Sequence, residues 1–355
     1  MLSEQSLKAL IRAELPAAAF QPRPYRRLLI IPIALFIVSG SFALALLPLP
    51  WYVALPGSVL IGSVYGSLMF LGHEIAHAAA NRERRGTEFL LYVAFAVFCL
   101  PPHLWRVWHN QVHHPNANVE GLDPDNFGTL DEFESDTSWH QYLVKYAPGS
   151  GHWLSALFLF SCFTVQIQGV LWMKSKVRPG FDRLRRTRTA IETLLLAGFW
   201  IFLGVLLGLK GALLVIVIPM IVANFVVMSY IATNHMLSPM SQVRDTLGTT
   251  MSVTTYKLID MLHFNFSHHV EHHLFPSMHT SYYPAVRACL QRHAGGRYMA
   301  PPHGRALLTL LRTPRIYTNL HTLVEPYSGR RVELARVEEI LRDNRKPVEA
   351  LETNL

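Results

Sequence analysis

His263-Phe264-Asn265-Phe266-Ser267-His268-His269-Val270-Glu271-His272-His273-Leu274-Phe275-Pro276 is the stretch around which the chain is organised. Five of the chain's 18 histidines fall between His263 and His273. On a helix, His269 and His273 are four apart and share a face, with His272 beside them. Neutral imidazole is a strong ligand for first-row transition metals. The plain alternative is a solvated histidine-rich loop. Two further clusters with related spacing argue against it.

Composition sets the surroundings of these clusters. Half of the 355 residues are apolar and only 16% are charged, against about a quarter charged in an ordinary soluble domain. Mean hydropathy is +0.22. These values point to a membrane protein. The net charge of +8 then marks cytoplasmic loops lying against anionic lipid. A nucleic-acid role would need a soluble basic domain, and none is seen. Cys99, Cys162 and Cys289 are widely separated and form no CxxC pair or disulfide framework, which suits a reducing compartment.

Taken in order, residues 3–15 read as a short amphipathic helix, either on the membrane surface or frayed. Residues 28–48 and 53–72 are each long and apolar enough to cross roughly 30 Å of hydrocarbon. The first begins after Arg26-Arg27 and reads as a span rather than a cleavable leader. The loop between them has no Lys or Arg, whereas Arg26, Arg27, Arg82, Arg84 and Arg85 flank the pair, so both ends face the cytoplasm. Residues 89–102 are too short to span and read as interfacial or re-entrant, ending at Pro101-Pro102. Residues 153–173 are long enough, but the basic run from Lys174 to Arg188 makes a single crossing unfavourable, so they too read as re-entrant or interfacial. Residues 190–208 and 211–233 form a second hairpin around Gly208-Leu209-Lys210-Gly211.

The expected fold is therefore an all-α integral membrane bundle: four transmembrane helices in two hairpins beneath a cytosolic His-rich cap, with both termini cytoplasmic. Residues 1–27 are expected to be a cytosolic segment and 28–279 the catalytic domain. Residues 280–355 are read as a charged cytosolic tail with an amphipathic helix near 331–343.

Every histidine cluster falls on the cytoplasmic side. The clusters are His73/His77, His109/His113/His114 and His269/His272/His273, with His235 at the end of the fourth span. Adjacent histidines such as His113-His114 and His272-His273 point about 100° apart on a helix, so one pair can serve two metals. Nine imidazoles exceed what one tetrahedral zinc needs, and they suit two metals with open positions for oxygen. Imidazole accepts iron, zinc and copper alike. His103, His140, His152, His263, His268, His279, His293, His303 and His321 lack such spacing, or have a better-placed neighbour, and read as surface or packing residues.

The chain resembles the membrane fatty acid desaturase family. Its HxxxH, HxxHH or HxxxHH, and HxxHH boxes are matched by His73-Glu74-Ile75-Ala76-His77, His109-Asn110-Gln111-Val112-His113-His114 and His269-Val270-Glu271-His272-His273. Asn118-Val119-Glu120-Gly121-Leu122-Asp123-Pro124-Asp125 is similar to the segment after the second box. Val270-Glu271-His272-His273-Leu274-Phe275-Pro276 is similar to the third box of front-end and related bacterial desaturases, which usually carry Gln where this chain has His269. The similarity covers roughly residues 50–290.

The resemblance implies two irons held by His73, His77, His109, His113, His114, His269, His272 and His273, with His235 as an extra ligand and O2 as co-substrate. It implies a fatty acid or fatty acyl lipid substrate and location in a bacterial inner membrane. With no fused cytochrome b5 seen, it implies a separate ferredoxin or cytochrome, with its reductase, as electron donor. Asn234 or Asn265 is expected to orient a bound water. Trp105 and Trp108 read either as walls of the acyl slot or as interfacial anchors. Three outcomes fit the motifs: desaturation, hydroxylation, and decarboxylation to a terminal alkene. Two readings of other classes are an intramembrane zinc protease, since residues 73–77 also spell HExxH, and a divalent-metal transporter. The first leaves six well-spaced histidines unused, and the second needs ligands at mid-membrane.

Overall fold

The structure is a computed structural model describing residues 2–77, 84–135 and 138–351; Arg82, part of the expected basic flank, lies outside the described residues. The fold is mostly helical. α1 (Glu4–Glu14) starts at Ser3, whose hydroxyl accepts from the Ser6 N–H at 3.1 Å. This helix is docked on the protein, not frayed. Leu7 and Ile11 are buried in one cluster with Val270, Leu274, Val286 and Leu290. At its end Glu14 accepts from the Cys289 thiol at 3.1 Å and from the His293 ring at 2.7 Å. The Cys289 bond and then the Arg292 guanidinium hold the Glu14 carboxyl down at about 2. Sequence periodicity gave α1 an apolar face but could not say what that face covers.

α2 (Ile30–Leu46) and α3 (Trp51–Ala76) pack as an antiparallel hairpin. A Cβ at Gly40 would lie 3.2 Å from Ile61, and one at Gly57 would lie 3.2 Å from Leu44. α4 (Arg84–Phe95) leads into a sharp bend where Cys99 takes a φ of 52° ahead of Pro101-Pro102. The limbs Gly86–Phe98 and Pro102–Asn116 meet at 93°. No straight helix runs through 153–173. That stretch is a 3-10 turn, then α5 (Cys162–Gly169), then a π-helical turn. α5 is pinned by Asn224, whose side chain accepts from the Thr164 N–H at 2.9 Å.

α6 (Arg186–Ala212) and α7 (Ile218–His235) belong to one apolar stretch broken at Gly208, where φ is 63° and ψ 177°. The break is a reversal of the chain. A Cβ at Gly204 would lie 3.6 Å from Ile216, whereas an unbroken helix would put these residues about 18 Å apart. Among the described residues three stretches are long and apolar enough to cross a membrane: Pro24–Leu46, Trp51–Ala76 and Arg186–His235. The bent pair is a fourth candidate.

α3 and α7 run side by side in the same direction. A Cβ at Gly62 would lie 2.6 Å from Val222 Cβ and 2.7 Å from the Pro219 carbonyl; one at Gly66 would lie 2.6 Å from Val226. Two glycines four apart let the backbones approach closely, a usual device where water cannot drive helices together. Parallel packing brings the C-terminal ends of both helices, with His73, His77 and His235, to one level.

The rest of the chain caps this end. It comprises α8 (Lys257–Leu262), α9 (His269–Leu274), α10 (Tyr283–His293), α11 (His303–Arg312), three short strands and α12 (Leu334–Arg342). The strands correct the all-α expectation. β1 (Ile316–Asn319), β2 (Thr322–Val324) and β3 (Arg331–Glu333) form an antiparallel sheet in that order. The expected helix at 331–343 therefore starts three residues late. Strands of three or four residues are too short for alternation to declare itself in a sequence. The sheet braces the site: the Arg315 guanidinium donates to the Met236 carbonyl at 2.7 Å, and the Tyr317 hydroxyl to the Ser238 carbonyl at 2.6 Å.

Gly62→Val should overpack the α3–α7 contact and cost about 1–3 kcal/mol, read as a lower thermal midpoint in detergent. Gly198→Ala, with nothing within 4 Å of its Cβ, should leave the midpoint unchanged or slightly raised.

Candidate metal centre

The nine histidines singled out above meet in two adjoining groups, all buried. His73, His77, His109, His114 and His272 offer ring nitrogens within 4.8 Å of one another. Their Nε2 atoms form a chain: His73 to His109 at 2.9 Å, His109 to His114 at 3.1 Å, His114 to His272 at 3.0 Å. The second group joins His113, His235 and His273. His269 belongs with it, its Nε2 lying 2.6 Å from that of His235 and 3.0 Å from that of His273.

Hydrogen bonding among the rings does not account for this arrangement. Each Nε2 carries either one proton or one lone pair. His109 and His114 each face two other Nε2 atoms, so neither can satisfy both contacts, and the buried Nε2 of His77 has no partner. A shared metal would resolve the conflict. At a bond of about 2.1 Å, nitrogens at right angles stand about 3.0 Å apart and tetrahedral ones about 3.4 Å. Most spacings here match the former, and a five-nitrogen group exceeds a structural zinc's four ligands.

The second and third boxes divide their histidines by one rule. In the α-helical third box, His269 and His273 join one group and the intervening His272 joins the other. In the second box His109 and His114, five apart, join one group and His113 the other. On an α-helix, residues four apart such as His109 and His113 would share a face. The difference is local: Arg106–His113 is a π-helix. A π turn absorbs one extra residue, so HxxxHH performs here what HxxHH performs on an α-helix.

Carboxylates orient the rings from outside. His113 Nδ1 donates to Asp123 at 2.9 Å, with Asp125 at 3.2 Å, which leaves its Nε2 lone pair for a metal. Asp123 accepts in turn from the Asn118 N–H at 2.7 Å. Asn118 adopts a left-handed φ of 54° and donates to the His235 carbonyl at 2.8 Å. Asp125 accepts from Trp108 Nε1 at 2.6 Å. His272 Nδ1 meets the Tyr283 hydroxyl at 3.1 Å. Glu271, inside the third box, accepts from Ser252, Arg287 and Tyr298 at 2.5, 3.0 and 2.6 Å and ties α9 to its surroundings. Sequence reasoning missed these partners. The dense turn signals of Asn118 to Asp125 were the available clue.

Glu74 gives the HExxH reading no catalytic base. Its oxygens are held by Arg26 at 2.6 and 2.8 Å and by Thr280 at 3.0 Å. Asn265 is also engaged, donating to the Thr280 carbonyl at 3.1 Å, while the buried Asn234 amide is unpartnered. His268 bonds to Ser267 rather than joining either group. Trp105 and Trp108 are fully buried, which excludes a role as interfacial anchors.

Both tryptophans line a small cavity against His109, His113, His235 and His269. It adjoins a larger, mostly apolar cavity lined by Leu143, Phe158, Cys162, Val165 and Gly169. Asp125 and Gln166, hydrogen bonded at 3.1 Å, line both. The lining, mostly apolar with a few polar groups, is of the kind that holds an apolar ligand.

Asp123→Asn should weaken metal retention about 10–100-fold, measured as bound metal against a competing chelator. Burial pushes the His269, His272 and His273 rings well below the usual histidine value, so they stay neutral. The unfolded chain binds protons near pH 6.5 that these folded rings refuse. The stability of metal-free protein should therefore fall as pH drops below about 6.5, seen as a lower thermal midpoint at pH 5 than at pH 7.

A family model, fatty acid desaturase, matches residues 49–303. The sn-1 acyl-lipid omega-3 desaturase (ferredoxin) of Synechocystis sp. is 24% identical over 76% of this chain and 76% of its own. The sn-1 oleoyl-lipid 12-desaturase of Arthrospira platensis is 20% identical over 81% of this chain and 82% of its own. The Delta(8)-fatty-acid desaturase of Euglena gracilis is 23% identical over 74% and 68%. With the family's model covering most of the chain, this protein belongs to the fatty acid desaturase family and is an enzyme of the desaturase type.

Proposed function

We propose that the chain is an O2-dependent, non-haem di-iron oxidoreductase that introduces a carbon–carbon double bond into a fatty acyl chain. The observation that carries this reading is the pair of buried Nε2 groups beside an apolar cavity. His73, His77, His109, His114 and His272 would hold one iron, and His113, His235, His269 and His273 the other. Two irons so held supply the O2-dependent oxidation that removes hydrogen from an unactivated C–H bond.

The chain's own residues do the positioning. Asp123 and Asp125 accept the Nδ1 proton of His113 and so fix its tautomer. Trp105, Trp108, Phe163 and Phe266 wall the smaller cavity and exclude water from the reacting carbons. The larger cavity takes the remainder of the acyl chain. Cys162, Val165 and Gly169 line it, so these three positions set how much chain fits.

The membrane arrangement belongs to the same proposal: four spans in two hairpins, 28–48 with 53–72 and 190–208 with 211–233, in a bacterial inner membrane. Both termini and all nine histidines face the cytoplasm. Residues 28–279 act as the catalytic domain and 280–355 as a cytosolic tail. The positive-inside rule, the parallel packing of α3 and α7 and the reversal at Gly208 support this. Electrons come from a separate ferredoxin or cytochrome with its reductase; the Synechocystis relative names ferredoxin.

Expression in a host fed defined fatty acids, with mass spectrometry of lipids and volatile hydrocarbons, tests the reaction. A new internal double bond is expected. A hydroxylated acid, or a terminal alkene one carbon shorter, would replace desaturation by another oxidation. Purified protein holding a lone zinc would end the di-iron reading. His272→Ala should lower bound iron and reduce product by at least about 100-fold.

A further inference from the structure

The segment just before the third box turns its apolar side chains outward. On Tyr256 and α8, Tyr256 is 85% exposed, Leu258 61%, Met261 66% and Leu262 52%. Four large apolar groups on a seven-residue segment make a continuous patch that a water-facing loop does not keep without a partner.

The depth of that segment is fixed by its neighbour. His263 Nδ1 is 3.0 Å from the Tyr230 hydroxyl, and its ring centroid is 5.3 Å from that of Phe70. Phe70 precedes His73 by three residues on α3, and Tyr230 precedes His235 by five on α7. At 1.5 Å per residue, His263 sits about 4–8 Å to the bilayer side of the metal ligands. α8 leads directly into that level.

The chain then reverses through Phe264 and Asn265, both left-handed at φ 53° and 57°. Such conformations are costly for residues with a Cβ and persist where surrounding bonds impose them. The Asn265 N–H donates to the Asp260 carbonyl at 2.7 Å, and the Asp260 carboxylate accepts from Thr255 at 2.6 Å. The reversal carries Phe264 and Phe266 to a small cavity that also touches His73 and His272.

We propose that Tyr256–Leu262 lies in the cytoplasmic leaflet as a monotopic element, with Leu258, Met261 and Leu262 among the acyl chains and Lys257 at the phosphate level. Its occupant is bilayer lipid. The argument is continuity with α3 and α7, whose lipid-level residues Phe70 and Tyr230 contact the next residue of the chain. The strained turn makes this lipid-facing element one piece with the wall of the cavity beside His73 and His272. The inference rests on the proposal that α3 and α7 span the membrane with their histidine ends cytoplasmic.

The test uses the full chain with Cys99, Cys162 and Cys289 replaced by alanine, in vesicles of phosphatidylethanolamine and phosphatidylglycerol. Single cysteines are introduced by Leu258→Cys or Met261→Cys and labelled with the environment-sensitive fluorophore NBD. Leu195→Cys on α6 reports a span, and Val243→Cys reports the aqueous side. Lipids carrying a nitroxide on the acyl chain should quench labels 258 and 261 several-fold more than aqueous iodide does, as at 195 and opposite to 243. Iodide quenching at 258 and 261, with lipid quenching kept at 195, overturns the proposal and leaves the spanning reading standing. Iodide quenching at all four positions removes both. Two labelled positions guard against one altered side chain deciding the result.

Discussion

Nine buried imidazoles gather their ring nitrogens into two adjoining groups, and the remaining structure serves to keep them there. Such rings cannot satisfy one another, because each nitrogen has one proton or one lone pair and His109 and His114 each face two neighbours. Burial keeps the third-box rings uncharged, which is the state a metal requires. The same burial makes the metal-free assembly sensitive to acid. Ring nitrogens so placed would find in a bound metal the partner they cannot find in one another.

Three kinds of constraint hold the rings in register. Close packing at Gly62 and Gly66 sets α3 and α7 parallel, so histidines from opposite ends of the sequence arrive at one level. Buried carboxylates then orient individual groups: Asp123 and Asp125 on His113, and Glu271 on α9 as a whole. The C-terminal region closes the assembly from below, with Arg315 and Tyr317 bonded to carbonyls just past His235, while α1 covers the outer face near α9. Elements distant in sequence thus contribute no ligand yet fix the ligands' positions.

The second box shows how backbone geometry and motif spacing trade against each other. A π-helical run takes up the residue by which HxxxHH exceeds HxxHH. Both boxes then deliver two rings to one group and one ring to the other, each favouring the opposite group. That crossed sharing welds the two groups into one unit. It also explains why adjacent histidines recur: neighbours on a helix diverge, and divergence is what two metals need.

Much of this was legible in the residues. Apolar length and the placement of arginines marked the candidate spans, and histidine spacing named eight of the nine grouped rings, because local periodicity survives in any context; His235 came from its place at the end of a span and from the family resemblance. The partition of those donors was not legible. Whether His113 turns with His109 or away from it depends on the π-helix, and nothing in His-Asn-Gln-Val-His-His announces one. Glu74 looked like a catalytic base by its place in HExxH, and only the approach of Arg26 from another helix shows it occupied. The docking of α1 on the segment around α9 and α10 is likewise a long-range fact. Sequence determines what each segment can offer; tertiary packing decides which offers meet, since the partners lie tens or hundreds of residues apart and no local signal records that separation.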